Sequence, residues 1–250
     1  MLISRVAGAL IVAATWIYLV LVRPTDWDSV AGSTEALITL GGYLLGAVLL
    51  LAGTIPALPA RTIALIPVAL VLNIVIGQFV GSIGLPLYLD SVGTVLVAAL
   101  AGPMAGLATG TLSSVVWGLM TPAALPFAAV SAATGYLAGW AFKKGALTAL
   151  WKALISGIGI GLITGMLAAP VAAFVYGGTA GLGTGALVSL FRELGNSLIA
   201  SVTLQSFISD PLDKAIVMLV VFAAVKALPR KVFAPTQSQS QSHRDTATFG

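Results

Sequence analysis

The chain has 250 residues, of which 58% are hydrophobic and 8% are charged, and this composition excludes an ordinary soluble domain. A mean hydropathy of +1.06 indicates an integral membrane protein. The absence of cysteine excludes disulfides and cysteine-ligated metals. The single histidine, His243, lies in a polar tail, so the apolar segments contain none for metal binding or acid–base chemistry. We therefore expect no metal and no cofactor.

Apolar runs separated by turn residues predict eight helices, near residues 5–22, 36–55, 62–82, 90–101, 103–121, 125–142, 151–175 and 211–228. The first is expected to be a retained helix, because its apolar run is long for a signal peptide and no small-residue cleavage site follows. The fourth is short for a full crossing, which leaves three interpretations open: a tilted helix, a partly re-entrant one, or one extended into the preceding loop. The predicted fold class is an all-α, polytopic membrane helical bundle.

The net charge of +4 does not predict nucleic-acid binding, because the basic residues flank apolar segments and form no single patch. With a cytoplasmic N-terminus, eight crossings place three basic groups inside: Arg61; Lys143, Lys144 and Lys152; and Lys226, Arg230 and Lys231. The same topology places most acidic residues near the outer side, together with Arg192: Asp26, Asp28, Glu35, Asp90 and Glu193. The positive-inside rule therefore predicts cytoplasmic N- and C-termini.

Three runs carry glycine at four-residue spacing: Gly102/Gly106/Gly110, Gly135/Gly139 and Gly157/Gly161/Gly165. Residues four apart share one helix face, and small residues let two helix backbones approach closely in a membrane. Such faces serve either packing within one chain or docking of a partner helix, and the spacing fits both.

Asp90 is the only charged side chain between Arg61 and Lys143. Three explanations for this carboxylate are open. Asp90 could cap the helix that starts at Ser91, form an ion pair with Arg192, or recognise donor groups of a ligand. The capping role is compatible with either of the other two. The segment 176–210 opens with glycines and then brings Arg192, Glu193 and Asn196 together within about one helical turn. It fits an interfacial helix and a hinged lid over an outward-facing pocket about equally well.

Three stretches, in this order, carry a resemblance to a known family: "GLPLYLDSVGTVLVAALAGPMAGLATGTLSSVVWGL", "LPFAAVSAATGYLAGWAFKKG" and "SDPLDKAIVMLVVFAAVKALPRK". They contain Gly102-Pro103, then Gly135/Gly139 followed by Lys143/Lys144, then Asp213-Lys214 and Leu228-Pro229-Arg230. In this order the stretches resemble the substrate-binding S components of energy-coupling factor (ECF) transporters. The resemblance covers about residues 62–231.

The resemblance implies a six-helix S-component core at residues 59–231. Residues 1–58 would add two N-terminal helices, and residues 232–250 form a disordered polar tail by composition. The family role is capture of a vitamin, nucleoside or similar small molecule at the outer face of a prokaryotic cell membrane. Delivery would use a separate transmembrane coupling protein and two ATPase subunits. The sequence has no G-x-x-x-x-G-K-[ST] phosphate loop of its own.

We expect an outward-facing pocket whose polar contacts come from Asp90, Arg192, Glu193 and Asn196. Tyr88 and Trp117 would supply its walls and Gln78 its floor. An enzyme is not expected, although a serine–lysine pair that uses Lys214 is formally conceivable. The alternative to transport is a membrane sensor or scaffold domain of the same composition.

Overall fold

The computed structural model describes residues 1–23, 33–178 and 181–227. These residues form the following α-helices: α1 (Leu2–Val22), α2 (Thr34–Thr54), α3 (Ala60–Ser82), α4 (Val92–Ala101), α5 (Pro103–Met120), α6 (Ala128–Lys143), α7 (Leu150–Val175), α8 (Leu182–Glu193) and α9 (Leu198–Ala227). The predicted all-α class is confirmed. The expectations for Asp26, Asp28, Leu228-Pro229-Arg230, Lys231, His243 and the tail fall outside the described residues.

Five segments of the described chain are long and apolar enough to cross a membrane: Leu2–Val22, Thr34–Ala57, Ala60–Ser82, Pro122–Lys143 and Leu150–Val175. Each of the eight predicted helices corresponds to a helix of the structure. The prediction for the last one is wrong at its start, because α9 begins at Leu198 and continues through Pro211. Proline is tolerated inside a membrane helix because neighbouring groups can satisfy the carbonyl that it leaves without a donor.

The glycine faces pack helices of this chain against each other. A Cβ at Gly106 or Gly110 would strike the backbone of α6 at Gly135 or Ser131, and one at Gly139 would lie 2.6 Å from the Cα of Pro103. In α7, a Cβ at Gly157 would lie 2.6 Å from the Cα of Ala215 in α9. Of the two interpretations of these glycines, the structure therefore supports packing within one chain.

Gly161 offers a direct test of this close packing. A Cβ there would strike the backbone of Asp210 and Pro211 in α9, whereas the Cβ of an alanine at Gly159, on the same helix, would meet nothing within 4 Å. Because overpacking typically costs about 1–3 kcal/mol, Gly161→Ala should lower the free energy of unfolding by about that amount. Gly159→Ala should leave it unchanged or raise it slightly. Thermal unfolding of both variants in detergent is the measurement, and equal midpoints would contradict the packing.

The two N-terminal helices share a hydrophobic core with the rest of the bundle. Leu19 of α1 and Tyr43 of α2 are fully buried in a cluster that also contains Val115 of α5 and Val171 of α7. Trp16 donates its indole N–H to the Leu167 carbonyl at 3.2 Å. The α1–α2 hairpin therefore packs directly on the helices that follow it.

Helix α4 is too short to cross a membrane alone. Its ten residues rise about 15 Å, about half the thickness of the hydrocarbon core. It starts beside Asn73, nine residues before the end of α3, which is about 13 Å along the helix axis. Residues 83–91 therefore return along α3 toward its middle, as in the re-entrant interpretation, and we call them the re-entrant loop.

Candidate functional site

Asn73 holds the start of α4. Its carboxamide oxygen accepts the backbone N–H groups of Gly93 (2.7 Å) and Thr94 (3.3 Å), which is the role of an N-cap side chain. Its amide nitrogen donates to the hydroxyls of Thr94 at 2.8 Å and Ser113 at 3.1 Å. The proposed capping role of Asp90 is thus carried out by Asn73, from the neighbouring helix α3.

Asp213 of α9 anchors the re-entrant loop. Its Oδ1 accepts the backbone N–H groups of Tyr88 at 2.9 Å and Leu89 at 2.6 Å. Leu89 has a φ of 48°, a left-handed conformation that is uncommon for a residue other than glycine. Irregular backbone at membrane depth must be satisfied by protein groups or line a cavity. The buried carboxylate of Asp213 supplies that satisfaction.

Lys214 is the cationic partner of this carboxylate. Its Nζ lies 2.5 Å from Asp213 Oδ2 and 3.6 Å from Asp90 Oδ1, and it donates to Ser91 Oγ at 3.1 Å. Lys214 is 5% exposed and Asp213 is fully buried. The proposed pairing of Asp90 with Arg192 is therefore corrected, because Asp90 pairs with Lys214 from inside the bundle.

A cavity of about 160 Å³ lies beside this charge cluster. It is enclosed by the re-entrant loop, α5, the turn at Pro122–Phe127, α6, α7 and α9. Aromatic walls come from Tyr88, Trp117 and Phe127, and charged groups come from Asp90, Asp210 and Lys214. Its small polar side chains are Ser91, Ser113, Ser114, Thr121, Ser131, Thr134 and Ser206. This cavity is the candidate functional site.

Two polar atoms at the cavity have no hydrogen-bond partner among the described residues. They are Oδ2 of Asp210 and the indole nitrogen of Trp117, and both atoms are buried. A buried polar group without a partner costs about 1–3 kcal/mol. Both residues line the cavity, but these two atoms are themselves out of reach of a water molecule, and Oδ2 of Asp210 would lie 3.2 Å from a Cβ at Gly165 of α7.

The structure brings three of the seven predicted site residues into this cavity: Tyr88, Asp90 and Trp117. Gln78 is exposed on α3, although its amide donates to Thr121 at the cavity. Arg192 and Glu193 are exposed at the end of α8, and Asn196 is exposed just beyond it. These last three side chains do not line the cavity, so Asp90 is the one predicted charged residue that does.

Asp210 and Lys214 are the charged groups that the predicted site omitted. With Ser206 they are spaced four residues apart on α9, and this spacing places all three on one helix face. The pattern was available in the sequence, but the prediction began the last helix at Pro211 and thereby divided the row between a loop and a helix.

Helix α8 lies against the re-entrant loop. A Cβ at Gly183 would strike the backbone of Gly84 and Leu85. The start of α8 therefore reaches the edge of the cavity, while its polar end is exposed. Both the interfacial-helix and the lid interpretation fit this position.

Gly77 of α3 packs against Trp117 and Asp90, two residues that line the cavity. A Cβ there would lie 2.6 Å from Cη2 of Trp117 and 3.0 Å from Cβ of Asp90. Gly77→Ala should therefore push both side chains and weaken the binding of a molecule in the cavity by about tenfold, as a misfit of 1–2 kcal/mol would. Gly81→Ala is the matched control, because its Cβ would meet nothing within 4 Å. Any small molecule that co-purifies with the natural chain can be identified by mass spectrometry, removed by dialysis and titrated onto both variants, and equal affinities would contradict this expectation.

Comparisons with models of known families, with curated proteins and with solved structures yield no match to this chain. The class of protein is therefore defined by the fold and the cavity alone. The chain is an all-α helical membrane protein whose helices enclose a small cavity with charged and aromatic walls.

Proposed function

We propose that the chain is the substrate-binding S component of an ECF-type importer. It captures a vitamin, nucleoside or similar small polar molecule from outside, and a separate coupling protein with two ATPase subunits drives delivery. The observation that carries the proposal is the cavity, whose walls combine the charged groups of Asp90, Asp210 and Lys214 with the aromatic rings of Tyr88, Trp117 and Phe127. The order of the three family-like stretches adds support. In this proposal residues 59–231 form the core and residues 1–58 the two additional helices.

The environment of Lys214 argues against an enzyme built on a serine–lysine pair. Its amino group lies 3.1 Å from Ser91 Oγ, the distance of such a pair. A lysine acts as a base only when neutral, and the carboxylates of Asp213 and Asp90 favour its charged form. The arrangement therefore suits binding and loop anchoring better than proton abstraction.

Purification of the tagged chain from the membranes of its source cells in mild detergent tests the transport role. We expect ATP-hydrolysing subunits and a second membrane protein to co-purify in fixed proportion, with ATPase activity in the eluate. A chain that retains a small molecule but recruits no ATPase would instead be a sensor or scaffold. Such a result would overturn the proposed function.

Cysteine labelling tests the proposed orientation, since the natural chain has no cysteine. Ala123 is exposed where it lines the cavity, and Lys144 is exposed beyond the opposite end of α6. In intact cells, a membrane-impermeant maleimide should label Ala123→Cys but not Lys144→Cys. Lys144→Cys should react only after permeabilisation. The reverse pattern would place the cavity on the cytoplasmic side and contradict the proposal.

A further inference from the structure

The formal charges at and beside the cavity do not balance among the described residues. Three carboxyl groups, Asp90, Asp210 and Asp213, accompany a single ammonium, Lys214. Both oxygens of Asp213 are already bonded, one to two backbone N–H groups and the other to Lys214. Asp90 and Asp210 are the carboxylates that line the cavity itself.

The Lys214 ammonium is engaged by protein groups. It donates to Ser91 and Asp213 and forms an ion pair with Asp90. An ammonium has three N–H donors, and these three neighbours match them in number. Lys214 therefore stabilises the re-entrant loop and forms no ion pair with Asp210.

Asp210 is the carboxyl group without a paired cation. It is 4% exposed and lines the cavity, and no ion pair within 4 Å joins it to a cation among the described residues. A carboxylate away from water is retained only where something compensates its charge. A bound molecule that carries a positive charge would supply that compensation.

The size and the walls of the cavity restrict which ligand can bind there. A volume of about 160 Å³ is close to that of cavities that hold one benzene ring. Trp117, Phe127 and Tyr88 supply aromatic surface, and aromatic faces attract cations as well as flat rings. These features suit an organic cation better than a large or an anionic ligand.

We propose that the cavity selects a monocyclic organic cation and that Asp210 is its counter-charge. The inference rests on the proposed function and names the substrate class of that site. Asp90 contributes a second carboxyl group from the re-entrant loop, and the aromatic residues enclose the ring.

A panel of three isosteric probes, benzamidinium, benzamide and benzoate, tests the inference on the purified full chain after dialysis has removed any molecule that co-purifies. They share one ring and nearly one shape but carry charges of +1, 0 and −1. Isothermal titration should show benzamidinium binding at least about tenfold more tightly than either of the others. A preference for benzoate or benzamide, or equal affinity for the three, would overturn the inference. So would the absence of binding by any of them.

Two charge-removing variants locate the selectivity. Asp210→Asn should reduce the affinity for benzamidinium at least about tenfold and leave that for benzamide unchanged. Glu193→Gln, which removes an exposed carboxylate outside the cavity, should change neither. Unchanged benzamidinium binding by a folded Asp210→Asn protein would overturn the role of Asp210. If that variant does not fold, the panel on the natural chain still decides the charge preference.

The outcome for the substrate class is separate from the outcome for transport. A chain that prefers benzamidinium but recruits no ATPase would support the cation site and overturn the importer. A chain that recruits a coupling protein and ATPases but prefers benzoate would support the importer and overturn the cation site.

Discussion

Lys214→Met should lower the free energy of unfolding by about 3–5 kcal/mol, the cost of removing one partner of a buried ion pair. The substitution leaves the fully buried carboxylate of Asp213 without its cation. It also removes the hydrogen bond to Ser91 and the ion pair with Asp90. Thermal and denaturant unfolding in detergent measure the effect.

The double variant Asp213→Asn/Lys214→Met separates the charge from the loop anchor. An asparagine oxygen can still accept the N–H groups of Tyr88 and Leu89, while the uncompensated charge is gone. Since replacing both partners of a buried pair is often close to neutral, the double variant should recover most of the lost stability. Lys144→Met is the control, because Lys144 is exposed and its removal should cost little. A double variant as unstable as Lys214→Met would contradict the assignment.

Asn73→Leu should destabilise the protein by about 1–3 kcal/mol for each buried group that it leaves without a partner. The backbone N–H groups of Gly93 and Thr94 lose their acceptor, and the hydroxyl of Ser113 loses a donor. The start of α4 and the re-entrant loop before it should then loosen. Hydrogen exchange at residues 83–94 should accelerate more than exchange in α7.

Gln78→Leu is the matched control for Asn73→Leu. It makes the same amide-to-leucine type of change five residues later on α3, where the side chain is exposed and donates one hydrogen bond to Thr121. Its effect on unfolding should lie within about 1 kcal/mol. Equal destabilisation by the two substitutions would refute the capping role of Asn73.

The helices could be predicted because apolar runs and turn residues are local signals. The glycine faces could also be predicted, since four-residue spacing alone defines a helix face. The helix that packs against each face could not be predicted from that spacing. The contact between Gly157 and Ala215, for example, depends on how α7 and α9 meet in three dimensions.

The position of the re-entrant loop could not be predicted, because it depends on a distant residue. The backbone N–H of Leu89 donates to Asp213, 124 residues later in the chain. No local pattern in residues 83–91 predicts that partner. Asn73 likewise caps a helix that is separate from its own. Asp90 was singled out correctly as a residue that needs a reason, but its partner came from α9 instead of α8.

The predicted start of the last helix explains the largest error in the predicted site. The last helix was predicted near residues 211–228, which left Asp210 outside the helix that contains Lys214. In the structure α9 passes through Pro211. The row of Ser206, Asp210 and Lys214 then faces one cavity. The prediction assigned three polar residues to the pocket that are exposed in the structure: Arg192, Glu193 and Asn196.

The amount of small molecule that co-purifies with the chain tests the central claim most directly. Ala124→Trp places an indole in the cavity, and Ala57→Trp places one at an exposed turn away from it. Mass spectrometry should find one small molecule in near-stoichiometric amount on the natural chain and on Ala57→Trp, and almost none on Ala124→Trp. Equal occupancy of all three proteins would show that the cavity is not where the molecule binds.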